Sequence, residues 1–298
     1  MGDMEGLPGG PMPTLRILDS LTDPGNAARA NEDAVGGNAS AAFVIDGATG
    51  LGGRPLLGPT SDAAWLAGFA KTVFEAEATT ATPIADVVRA LNNRVAQLIA
   101  EAAGSDPVEA WALPTASFQL ARVEGSELAI YGLGDCRLFL VGADGATFET
   151  SEAYSKAEGE SARRAVTQAG GLRAWRSLAE EPTVREALRR SRARHNQPGG
   201  AVWTLGSAPE AASHLAVQRI TPALPARGLL ATDGFSALAD KYGRYDGAAL
   251  IKATSERGLV ALMAELRRIE REEDPDGQTY PRFKVSDDAT ALLFEIID

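Results

Sequence analysis

The 298-residue sequence predicts an α+β domain with two helical layers on a large sheet system. Three observations predict it. Short apolar runs of strand character lie towards both ends of the chain. Two long segments between them repeat apolar residues at helical spacing. Three central runs are joined by turns too short for the crossovers that parallel strands need.

The opening "MGDMEGLPGGPMP" is rich in Gly and Pro and reads as a flexible leader over residues 1–13, with residues 14–298 as one domain. Residues 14–53 read as short strands and turns around two acidic clusters. "SDAAWLAGFAKTVFEAEA" then repeats Trp65, Leu66, Phe69, Val73 and Phe74, with Ser61 and Asp62 suited to an N-terminal cap. After Pro83 a second helix places Ile84, Val87, Val88, Leu91, Val95 and Leu98 on one face and stops near Gly104. "TASFQLARV", "ELAIYGL" and "CRLFLV" follow as strands and suggest an antiparallel meander. Residues 151–200 are polar and Arg-rich, with a helix over 181–194 whose "RRSRARH" reads as a solvated face; the segment is a lid or an added surface. "HLAVQRI" and "RGLLATDG" are further strands, and helices are expected over 246–255 and 258–271. The charged loop "REEDPDGQTYPRFKVSDD" leads into a last strand, "ATALLFEII".

Composition narrows the function. With 45% hydrophobic and 23% charged residues, the chain can bury a sizeable core. Its 29 basic against 40 acidic residues give a formal charge of -11, which argues against wrapping nucleic acid but leaves room for a local phosphate pocket. The single cysteine, Cys136, excludes an internal disulfide and reads as a small buried hydrophobe. Neither His195 nor His214 has a neighbour at zinc-ligand spacing. No apolar run of membrane length, export signal or myristoylation pattern is present, so no membrane partner and a cytoplasmic location are expected.

The chemistry lies in the acids. Asp46 in "VIDG", Asp135 in "GLGD", Asp233 in "LLATDG" and Asp287-Asp288 in "KVSDDATALLF" all stand where a strand ends or begins, and Glu32-Asp33 precede the first of these strands. Any one of them is an ordinary turn former or helix cap. Together they place carboxylates on one edge of a rigid scaffold, where like charges raise one another's pKa and a divalent cation relieves the repulsion. Oxygen donors without His or Cys suit Mg²⁺ or Mn²⁺.

The ordered set "NEDA", "VIDGATG", "TAS", "YGLGDCRLFLV", "LLATDGFSAL" and "SDDATALL" resembles the metal-dependent protein phosphatases, the type 2C Ser/Thr phosphatases, from about Arg29 to the C-terminus. The resemblance implies an α-β-β-α sandwich of two antiparallel sheets flanked by helices. It also implies hydrolysis of phosphoserine or phosphothreonine in proteins by in-line attack of a water bridging two Mn²⁺ or Mg²⁺ ions, with a third, weaker ion in bacterial members. Asp46 would bridge the ions and Gly47 would offer its carbonyl. Asp233 and Asp287 would complete the other ion's ligands, making Asp46, Asp233 and Asp287 the catalytic set. Glu32 and Asp33 would bind metal-coordinated water or stand behind the direct ligands, Asp135 would hold the third ion and Arg29 the substrate phosphate, while Asp288 supports. Partners would be a phosphoprotein and a cognate Ser/Thr kinase system; the oligomeric state is left open.

Three departures stand out. Ala48 replaces the histidine that many members carry as a candidate general acid. Arg29 lies one residue closer to "ED" than usual, and "DGATGLGG" carries two extra residues between its glycines. They suggest a divergent bacterial-type member. Two other functions stay open: a non-catalytic binding or sensor module on the same fold, and a phosphatase of small metabolites.

Overall fold

The computed structural model describes residues 13–151, 156–173, 177–200 and 202–298. Almost all of the expected leader lies outside the described residues. Among the described residues, ten strands form two five-stranded antiparallel sheets. The first contains β1 (Thr14–Asp23), β10 (Ala289–Ile297), β9 (Ala226–Ala231), β6 (Arg137–Val141) and β7 (Thr147–Glu149), in that spatial order. The second contains β2 (Asp33–Gly37), β3 (Ala41–Gly47), β4 (Ala116–Glu124), β5 (Glu127–Leu133) and β8 (Ala216–Ile220).

The alternation of side chains along each strand builds three apolar layers. Val44, Ala121 and Ile130 from the second sheet meet Leu138, Leu230, Leu292 and Phe294 from the first, and this inter-sheet core includes Cys136. The outer face of the second sheet, with Phe43, Ile45, Phe118 and Leu120, is covered by α1 (Asp62–Glu77) and α2 (Ile84–Ala103). Phe43 and Phe118 both pack against Phe74 of α1, with ring centroids 5.4 and 5.0 Å away. The outer face of the first sheet, with Phe139, Leu229 and Leu293, is covered by α5 (Asp233–Asp240), α6 (Gly247–Arg257) and α7 (Leu259–Arg268). The expected α-β-β-α sandwich is therefore the observed architecture.

The two long helices follow their sequence signals. Ser61 caps α1 by accepting from the Ala64 amide, and Gly104, at φ +61°, ends α2. The expected meander is corrected. β4 and β5 form a hairpin, but β6 lies in the opposite sheet, paired with β9 and β7. The Gly134-Asp135 turn switches sheets, because Phe139 is needed on one outer face while Leu138 and Leu140 fill the inter-sheet core. Residues 233–240 form a helix where the sequence suggested only a strand and its turn, and α3 (Lys156–Ala169) and α4 (Pro182–Arg192) occupy the Arg-rich segment.

Candidate functional site

The two sheets bring the strand-end acids together at one edge. Asp33 and Asp46 face each other across β2 and β3. Asp46 is also opposite Ser117 of β4, whose hydroxyl hydrogen-bonds Asp135 in the sheet-switching turn. From the other sheet come Asp233, at the start of α5, and Asp287, just before β10. Thr232 locks the halves together: its hydroxyl donates to Asp33 Oδ2 at 2.8 Å and accepts from the Thr290 amide at 2.9 Å. The Glu32 amide adds a second tie, donating to Asp288 Oδ2 at 2.7 Å. Glycine is required at two points, since a Cβ on Gly47 would lie 2.5 Å from the Glu32 carbonyl and one on Gly234 would lie 2.0 Å from the Asp288 carbonyl.

Gathering these acids has an electrostatic cost. Burial pushes the Asp46 carboxyl well above its ordinary pKa, and Asp33, Asp233, Asp135 and Asp287 push it further. Burial likewise raises Asp33, only partly offset by hydrogen bonds from Thr290 and Thr232. Asp135 is raised by burial against its Ser117 hydrogen bond, and Asp288 reaches about 6 through burial and the charge of Asp287. Asp287 is lowered instead, because Lys284 overcomes the effect of burial.

This donor set suits a hard divalent cation: all donors are oxygens, and a positive charge would remove the repulsion on Asp46. Lys284 partly fills that need at Asp287. Among the described residues, no three His, Cys, Asp or Glu side chains are gathered closely enough to hold an ion as they stand. Both carboxylate oxygens of Glu32 are already engaged, accepting from the hydroxyls of Thr49 and Ser61.

A groove of about 1290 Å³ runs beside the acidic cluster and meets it at Glu32 and Asp288. Glu32, Ala48, Lys284 and Asp288 lie along it, with Trp111 and Leu113 supplying an apolar stretch. The Arg-rich segment contributes more than a solvated face. Arg190 is exposed, but Arg189 donates twice to the Leu51 carbonyl, at 3.0 and 2.8 Å, and stacks 3.9 Å over Trp111. Gly52, at φ +106°, makes room for it, since a Cβ there would lie 2.7 Å from Arg189 Nη2. Arg192 lines the groove on the same helix face and donates to the Ala48 carbonyl at 3.4 Å. Their spacing of three residues is the signal that could have found this inward face.

Arg29 does not reach inward as a free cation; it is exposed and pairs with Glu180 at 2.6 Å. Cys136 is buried, and burial beside the acids pushes its thiol well above the ordinary range, so it is no nucleophile. His195 and His214 stay outside the acidic cluster. His214 stacks on Trp203, and burial holds His195 down to about 4.

Comparison with solved structures shows the fold: the chain folds as the solved Ser/Thr phosphatase domains do. It matches the catalytic domain of the serine/threonine phosphatase PstP in complex with two manganese ions, with 16% identity, 96% of this chain and 100% of that chain covered, and a TM-score of 0.52. The Mycobacterium tuberculosis phosphatase PstP/Ppp matches over the same shares, with 15% identity and a TM-score of 0.53. PppA of Pseudomonas aeruginosa, a regulatory component of its T6SS, shares 18% identity over 96% of this chain and all of its own, with a TM-score of 0.52. No family model and no curated protein sequence matches. No helix among the described residues is long and apolar enough to cross a membrane.

Proposed function

We propose that this chain is a divalent-metal-dependent phosphomonoesterase acting on phosphoserine or phosphothreonine in proteins, opposite a Ser/Thr kinase. One observation carries the reading: Asp33, Asp46, Asp135, Asp233 and Asp287 converge from both sheets at the edge of a phosphatase fold, where their mutual repulsion calls for cations. Asp46, the Gly47 carbonyl, Asp233 and Asp287 would hold two Mn²⁺ or Mg²⁺ ions, with Asp135 serving a third. Ions held there supply Lewis acidity that activates water and offsets phosphate charge. Thr232 and Thr290 fix Asp33, Ser117 fixes Asp135, and Thr49 and Ser61 orient Glu32 towards the groove side of the site. No side chain is needed as a nucleophile, in keeping with the buried Cys136 thiol.

Hydrolysis of p-nitrophenyl phosphate and of a phosphothreonine peptide, with Mn²⁺ and with EDTA, tests this. The wild type should require Mn²⁺, and Asp233→Asn should lose activity by about 100-fold or more. A sugar phosphate hydrolysed in preference to the peptide would move the substrate class to small metabolites. A folded, Mn²⁺-supplied wild type without activity would overturn the reading. It would favour a second one, a non-catalytic module, to which one observation already speaks: Lys284 is ion-paired with Asp287.

A further inference from the structure

A phosphate group approaching the acidic cluster needs a cation on the groove wall that is not already committed. Six basic side chains line the groove. Arg29 is paired with Glu180, and Arg271 donates to the Gly25 carbonyl and the Ser286 hydroxyl. Lys284 is held by Asp287 and Thr49, and Arg173 donates to the Leu172 carbonyl beside it. Arg54 is exposed, on the loop beyond the glycines. Arg192 differs from all of these. It is half-buried, it feels the charges of Glu32, Asp46 and Asp135, and its one hydrogen bond among the described residues is the long contact with the Ala48 carbonyl.

We infer that Arg192 is the phosphate-binding residue of this site, taking the place expected of Arg29 and gripping the substrate's phosphate oxygens from helix α4. A guanidinium presents five N–H donors in a planar fork and can grip two phosphate oxygens at once. Its partly desolvated position strengthens that contact relative to a surface arginine. The helix that carries it is fastened by Arg189, which is bonded to Leu51 and stacked on Trp111. Arg192 is thus presented by an anchored element, as precise recognition requires. Ala48, the small residue after Asp46-Gly47, supplies the carbonyl that steadies it. The inference rests on the phosphatase reading for its substrate, but anion binding can be measured separately.

The experiment uses the full chain loaded with Mg²⁺. Inorganic phosphate binding is measured by calorimetry, and kcat and KM are measured on a phosphothreonine peptide, for wild type, Arg192→Ala, Arg192→Lys, Arg29→Ala and Arg190→Ala. Arg192→Ala should weaken phosphate binding and raise KM by about tenfold to a hundredfold. Arg192→Lys should restore part of the loss, and Arg190→Ala, on the exposed face, should change neither quantity. An unchanged melting temperature in Arg192→Ala would separate this effect from a folding defect. The inference is overturned if Arg29→Ala rather than Arg192→Ala carries the loss, or if the wild type does not bind phosphate. Phosphate binding that depends on Arg192 in a wild type without hydrolysis would sink the catalytic reading and leave the binding residue in place.

Discussion

The ammonium of Lys284 stands 2.5 Å from Asp287 Oδ1 and 2.9 Å from the Thr49 hydroxyl, which in turn donates to Glu32. A single lysine thus joins the acids preceding β2 and β10 through one hydroxyl. Its charge offsets part of the repulsion among these acids, as a divalent cation would.

Replacing Lys284 should therefore act in opposite directions on stability and metal binding. Lys284→Met removes the ion pair on Asp287 and leaves it only the charge of Lys241. Because the Asp287 side chain is 47% exposed, the stability cost in EDTA should be only about 1 kcal/mol. With the competing charge removed, Mn²⁺ should bind roughly tenfold more tightly by calorimetry. Weaker binding in the variant would instead make Lys284 a support for the metal site.

The raised carboxyls imply a pH dependence of definite sign. Asp46 and Asp33 titrate in the folded protein well above their unfolded values, and Asp288 at about 6. The folded state therefore holds more protons than the unfolded chain from about pH 4 up to those values. Through that window stability falls as pH rises. His195, held near 4, acts in the opposite sense, but equally in wild type and variants. In EDTA, Asp46→Asn should exceed wild-type stability at pH 7.5 by at least about 1 kcal/mol, a gap that shrinks towards pH 5. The same variant should lose the Mn²⁺-induced rise in melting temperature. Urea titrations at the two pH values read the first effect, and a gap that widened on acidification would contradict the sign.

Gly234 is set against the backbone rather than a movable side chain. A methyl group there would lie 2.0 Å from the Asp288 carbonyl, whereas one on Gly50 meets nothing within 4 Å. Gly234→Ala should cost about 2 kcal/mol or more, and Gly50→Ala close to nothing. Chemical denaturation of both variants in EDTA compares them without metal effects.

Arg189 holds the glycine loop beneath α4. Its loss in Arg189→Ala removes two hydrogen bonds to Leu51 and the stack on Trp111, and should cost about 1–2 kcal/mol. Amide exchange across residues 48–53 should accelerate in the variant while the strands keep their protection. Unchanged exchange in that loop would show that the helix is not its clamp.

Much of this was legible in the sequence because local pattern and final environment agree. Phe74 of α1 and Val88 and Leu91 of α2 recur at helical spacing and are buried where that spacing puts them. The acids at strand ends are brought to one edge as their placement suggested, since a strand end is fixed by the sheet whatever surrounds it. Partner choice was less legible. The period of "CRLFLV" marks β6 as a strand but is blind to which sheet receives it. Ala162, Ala165 and Val166 of α3 carried a helical period within a polar stretch and went unread. Arg29 and Arg192 look alike as letters; only the fold pairs one with Glu180 and turns the other towards the acids. Lys284 gave no signal, because its meaning depends on Thr49, 235 positions away.

The pairing of β1 with β10 has a kinetic consequence. The hydroxyls of Thr22 and Thr290 meet at 2.7 Å although 268 positions separate them. Closing so large a loop is slow compared with forming the local β4–β5 hairpin. The acids preceding β10 can join those of β2 and β3 only after that closure, so their repulsion arises late in folding. Divalent ions should then chiefly slow unfolding rather than speed the early collapse. Stopped-flow chevrons with and without Mn²⁺ would show the difference as a shift of the unfolding limb alone.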